Sequence, residues 1–73
     1  MKINLSDAEI SLLKRRNVPF SASKEYSEDE ALDLLDAIRE VEVSYAERED
    51  PEGERLYTAY QSIADKVYRE IPE

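Results

Sequence analysis

Apolar residues recur in this chain at three- and four-residue intervals, and the residues interrupting that pattern are ones that start or stop helices. In mid-chain, Ala31, Leu34, Leu35, Ile38, Val41 and Tyr45 repeat at helical spacing. At about 100° per residue they fall within about 120° of one another, the stripe an amphipathic helix buries. Leu56, Tyr60, Ile63, Ala64, Val67 and Ile71 make a second stripe, with Tyr57 and Tyr68 along its margin. Strand-like alternation is confined to Glu40-Val41-Glu42-Val43, where the longer helical pattern overrides it.

The punctuation sets the expected boundaries. Ser6-Asp7-Ala8-Glu9 is a capping box, in which the Ser6 hydroxyl takes the Glu9 amide and Glu9 reaches back to Ser6. Leu5 and Ile10 are placed for a hydrophobic staple. Asn17 tolerates a left-handed C-terminal cap, Val18 is placed to fold back on Leu13, and Pro19 blocks continuation. A second capping box, Ser27-Glu28-Asp29-Glu30, opens the middle helix. Pro51 and Gly53, the only glycine, mark the next turn, and Pro72 limits the last helix. The predicted helices therefore span about 6–16, 27–49 and 52–71. Residues 18–26 connect the first two, with Phe20 expected to plug the core beside a Ser-rich link. The fold class this implies is all-α: a small three-helix domain, in which a long antiparallel helical hairpin is closed by a short N-terminal helix across its open side.

Composition narrows the chemistry. Seventy-three residues, 41% of them apolar, support one small core with an expected margin of about 3–5 kcal/mol. With no cysteine and no histidine, disulfides, thiolate nucleophiles, the usual zinc ligands and the commonest general base are all missing. The first residues, Met1-Lys2-Ile3-Asn4-Leu5-Ser6-Asp7, lack the apolar run of a signal peptide, and no stretch reaches membrane-spanning length. A cytoplasmic location is the expectation.

Charge changes the picture most. Thirteen of the 18 acidic residues lie between Glu25 and Glu54, where Arg39 and Arg48 are the only bases, although the whole chain carries a net charge of −8. Drawn on the middle helix, Asp29, Asp33, Asp36, Glu40 and Glu47 stack on one face opposite the apolar stripe. Like charges at these spacings oppose helix formation by a few tenths of a kcal/mol per pair, and Asp36 and Glu40 lie beyond the reach of the N-terminal dipole. Leu32 and Val43 lie beside the row, either as the margin of an interface or as surface covered by the first helix. Four of the five tyrosines divide similarly: Tyr45 and Tyr60 belong to the core, Tyr57 and Tyr68 to its margin or to a contact surface. Lys14, Arg15, Arg16 and Lys24 do not converge on a phosphate pocket, and serve the helix dipole or pair with the acidic block.

Catalytic and cofactor signatures are missing. Gly53 lacks the setting of an EF-hand loop, one glycine cannot build a phosphate cradle, and the carboxylate pairs are unfocused. Size, acidity and helicity resemble an acyl carrier protein, but the Asp-Ser-Leu attachment motif is absent; Ser6-Asp7 reverses its order. Ser23-Lys24-Glu25-Tyr26-Ser27-Glu28-Asp29-Glu30, followed by Leu32, Leu34, Leu35 and Ile38, is similar to a helix start in the acidic immunity proteins of nuclease bacteriocins. The likeness covers about 16 of 73 residues; that family's paired tyrosines and following proline are not reproduced, since Tyr57 and Tyr60 are separated. What the resemblance implies is a charge logic, an acidic helix facing a basic protein, and no binding residue is carried over.

The expected function is therefore a non-enzymatic, acidic protein-binding module without cofactor or metal. Its partner-binding residues would be Asp29, Leu32, Asp33, Asp36, Glu40, Val43 and Glu47, set against a basic protein surface, in the manner of a nucleic-acid mimic or inhibitor. Such acidity disfavours direct nucleic-acid or anionic-membrane binding. The alternative is an assembly protein that dimerises through exposed apolar and tyrosine surface.

Overall fold

The computed structural model describes residues 1–72 and contains three helices, α1 (Asp7–Arg15), α2 (Glu28–Ala46) and α3 (Pro51–Glu70). No residue among those described is in a strand. The all-α expectation holds: α2 and α3 pack along their lengths as a hairpin, and α1 lies mainly against α3. The body measures 36 × 24 × 17 Å.

Both capping boxes form. Ser6 Oγ accepts from the Glu9 amide (3.2 Å) while Glu9 Oε1 accepts from the Ser6 amide (2.8 Å). Ser27 and Glu30 repeat the exchange at 3.2 and 3.1 Å. The end of α1 is a Schellman motif. Asn17 sits at φ 59°, its amide donates to Lys14 O (3.1 Å), and the Val18 amide donates to Leu13 O (2.9 Å). Leu13 and Val18 are both buried, which supplies the apolar contact that accompanies this cap.

Both boundaries at the α2–α3 link differ from expectation, and each of the other four helix ends lies one residue inside it. α2 ends at Ala46 rather than near residue 49, because the Arg48 amide turns back to Tyr45 O (3.1 Å) and its guanidinium pairs with Asp50 (2.6 Å). α3 starts at Pro51, one residue early, because Asp50 is its N-cap: Asp50 Oδ1 accepts from the Gly53 amide at 2.8 Å. Gly53 is thus a buried residue of the first helical turn and not the turn itself. A methyl group there would meet Asp50 Oδ1 at 2.5 Å and Arg48 Cβ at 2.7 Å.

The core unites the two predicted stripes with residues from outside them. Ala31, Leu34, Leu35, Ile38, Val41, Tyr60, Ile63, Ala64 and Val67 are buried together with Ile3, Leu13, Val18 and Tyr26. Phe20 packs against this cluster as anticipated, half-buried, its ring stacked on Tyr26 at 5.8 Å. Tyr60 is the anchor between α1 and α3. Its hydroxyl donates to the Leu12 carbonyl (2.5 Å), one of the acceptors that the last turn of α1 leaves without a helical partner. Burial pushes the Tyr60 phenol above its ordinary pKa, with Tyr45 adding in the same direction. Tyr45 stacks on Tyr60 (5.6 Å) and carries the guanidinium groups of Arg16 (5.0 Å) and Arg48 (5.7 Å) over its ring, joining the end of α1 to the α2–α3 turn.

Candidate functional site

The residues that form the acidic row are placed by the same periodicity that buries the opposite face of α2. Asp29, Asp33, Asp36 and Glu40 are all exposed along the helix, and Glu47 is exposed at its C-cap, one residue past the helix end. Leu32 and Val43 stand beside them at 40% and 58% exposure. The alternative in which the first helix covers these two is therefore not what occurs. Tyr68, on α3, is 52% exposed, whereas Tyr57 and Tyr45 are half-buried.

Three carboxylates outside this row are ion-paired. Glu9 is paired with Lys66 (2.9 Å), Glu30 with Lys24 (2.5 Å) and Asp50 with Arg48 (2.6 Å). Each of those three is also a capping residue, and each carboxyl is held below its ordinary pKa. For Glu30 the Lys24 ammonium acts first and the Ser27 amide and hydroxyl second, bringing it to about 2. For Asp50 the Arg48 guanidinium leads and the Gly53 amide follows. Glu9 is pushed up by burial, but the Ser6 amide and Lys66 together outweigh that. Asp29, Asp33, Asp36, Glu40 and Glu47, by contrast, take part in no ion pair among the described residues. Arg39, which precedes Glu40 in sequence and lines a shallow hollow with Asp36, Glu40 and Val43, also exerts its field on Glu42, where burial raises the carboxyl pKa and Arg39 partly opposes it.

On the connector side of α2 lies a feature that the sequence pattern did not signal. Pro19, Phe20, Ser21, Lys24, Tyr26, Glu30, Asp33, Leu34 and Ala37 enclose an open cleft of about 430 Å³. Phe20, Tyr26, Leu34 and Ala37 give it apolar walls, and the Tyr26 hydroxyl accepts from the Ser21 amide (3.0 Å) to hold the loop in place. Lys24 occupies one end, its ammonium 4.9 Å from the Tyr26 ring centroid and bonded to Glu30. Asp33 thus belongs both to the exposed row and to the cleft lip. A second hollow adjoins the first, sharing Pro19 and Ala37 and extending to Glu40 and Arg16. Only the folded path of residues 18–26 creates this groove; the closest signal in the sequence was two aromatics, Phe20 and Tyr26, in an otherwise Ser-rich connector.

Among the described residues no cluster of three or more Asp or Glu side chains is arranged to hold a metal ion, and no helix is long and apolar enough to cross a membrane. No family model matches the chain, and comparison with curated proteins and with solved structures finds no match.

Proposed function

We propose that this protein is a small acidic binding module that presents the outer face of α2, with Asp29, Asp33, Asp36, Glu40 and Glu47 flanked by Leu32 and Val43, to a basic surface on another protein. One observation carries the reading. Five exposed carboxylates line one face of α2 and its C-cap with no ion-pair partner among the described residues, although like charges on one helix face oppose folding. A row of spaced carboxylates beside exposed aliphatics offers an incoming Lys- and Arg-rich surface both steering and a small apolar contact. Such a face can occupy the phosphate-binding positions of a nucleic-acid-handling protein, so inhibition by mimicry is the natural form of this activity.

The test is affinity capture from native cell extract, comparing the wild type with a variant carrying Asp33→Asn, Asp36→Asn and Glu40→Gln. One basic partner is expected to be lost with the variant, and its affinity for the wild type is expected to fall steeply with salt. A partner whose affinity stays level from low to high salt would refute the mechanism. A second reading rests on the exposure of Leu32, Val43 and Tyr68: a homodimer joined through these apolar side chains. Sedimentation over a range of concentrations decides it, since a strict monomer excludes that interface.

A further inference from the structure

The cleft between the connector and α2 adds to the acidic row something that charge alone does not provide: a shaped apolar slot opening beside a carboxylate. Its walls are Phe20, Tyr26, Leu34 and Ala37. Two carboxylates reach its lip. Glu30 is already committed, since one of its oxygens holds Lys24 (2.5 Å) and the other accepts the Ser27 amide (3.1 Å). Asp33 has no ion-pair partner among the described residues. The slot is therefore apolar along its walls and negative at one point of its rim, with that negative charge unspent.

We propose that this cleft receives an arginine side chain of the basic partner, with the methylene stem lying along Ala37, Leu34 and Phe20 and the guanidinium on Asp33. The inference rests on the reading of α2 as the partner-facing surface and names the side chain that the surface selects. An arginine fits both halves of the site, because its stem covers apolar area while its planar head donates two parallel hydrogen bonds to one carboxylate. Lysine shares the stem but offers a strongly hydrated point charge, and an uncharged aliphatic residue leaves Asp33 unmatched. The chain supplies its own precedent: the Lys24 side chain lies over Tyr26 at the far end of the same cleft with its ammonium on a carboxylate.

The experiment uses the whole protein and two acetylated, amidated peptides of alternating glycine and basic residues, one with arginine and one with lysine. Binding is followed by NMR on the Ala37 methyl and the Phe20 and Tyr26 ring signals. The arginine peptide should shift these signals saturably and bind more tightly than the lysine peptide. Asp33→Asn should weaken it about tenfold, the size expected for a lost charge-assisted bidentate contact. Ala37→Met, which fills the slot without altering charge, should weaken it about fivefold through lost apolar contact. Thermal melts of both variants check that the fold is kept; Asp33 is exposed, so its variant does not disturb the core. If Asp36→Asn with Glu40→Gln abolishes binding while Asp33→Asn and Ala37→Met leave it intact, the acidic row stands and the cleft assignment falls. If the two cleft variants weaken binding and the Asp36/Glu40 variant does not, the cleft holds without the wider row. Equal affinity for the two peptides, or saturable binding with the Ala37 and Tyr26 signals unmoved, overturns the arginine assignment.

Discussion

Gly53→Ala is the substitution on which two general rules give opposite signs. Inside a helix, alanine is favoured over glycine by about 1 kcal/mol, so a helical glycine without positive φ is ordinarily a site for stabilisation. Gly53 is such a residue by backbone, since no glycine here has positive φ. Its surroundings reverse the expectation. The added methyl would lie 2.5 Å from Asp50 Oδ1 and 2.7 Å from Arg48 Cβ. Both distances are roughly 1 Å inside ordinary contact of about 3.5 Å. A flexible carboxylate can move, but Arg48 Cβ is attached directly to the backbone of the tight link between α2 and α3. Forcing a methyl into a filled site costs about 1–3 kcal/mol, and moving Asp50 also gives up the cap on α3, so the net result is a loss of about 1 kcal/mol or more. In a domain this size that lowers the melting temperature by about 4–8 °C per kcal/mol. Urea unfolding and thermal melting followed by circular dichroism at the helix band measure it. Asp50→Ala and the double variant complete a cycle, and the two changes should be clearly less than additive because both act through the same cap. A Gly53→Ala protein as stable as the wild type, or more so, would refute the steric argument.

Tyr60→Phe removes the hydroxyl that satisfies the Leu12 carbonyl and should cost about 1–2 kcal/mol in the same unfolding assay, with the ring stack on Tyr45 retained. Asn17→Ala places a Cβ-bearing residue without a helpful side chain at φ 59° and should destabilise by about 1 kcal/mol, whereas Asn17→Gly should be neutral or slightly stabilising. The carboxyl pKa of Glu30 is lowered from 4.5 to about 2, so its contribution is complete above about pH 4.5 and is lost as the pH falls through about 2. Glu9 and Asp50 act in the same direction. Melting temperature should fall across that acid window, and Glu30→Gln, which retains the capping box but not the pairing with Lys24, should show a shallower fall; an identical profile would remove Glu30 as a cause.

The parts of the fold that depend on periodicity and caps were legible from residues alone: the stripes of α2 and α3, both capping boxes, and the Asn17–Val18 stop. What escaped lay outside any period. Ile3 precedes the first cap and Tyr26 sits in a connector, yet both are buried, because core membership there depends on where the chain returns in space. The Tyr26 amide, for example, donates to the Met1 carbonyl (2.6 Å). Asp50-Pro51 did carry a readable signal, an N-cap followed by proline at the first helical position. It was obscured because the lone glycine two residues on reads as a turn. Among the candidate site residues, the exposure of Asp29, Asp33, Asp36, Glu40 and Glu47 followed from the helix, while the exposure of Leu32 and Val43 depended on which side α1 chose. The cleft required the connector to fold against α2 and had no linear signature.

The bond from Tyr60 to Leu12 joins residues 48 apart in sequence, and α1 holds mainly to α3. α1 has nine residues, below the length at which a helix persists alone in water. Its order is therefore borrowed from the hairpin, which by its local connection is the unit able to form first. The molecule should open in two stages, with α1 amides exchanging hydrogen through detachment of that segment while the buried amides of α2 and α3 wait for complete unfolding. Tyr60→Phe should then speed exchange in α1 more than in the centre of α2, making one phenolic hydroxyl the latch on the more readily released third of the fold.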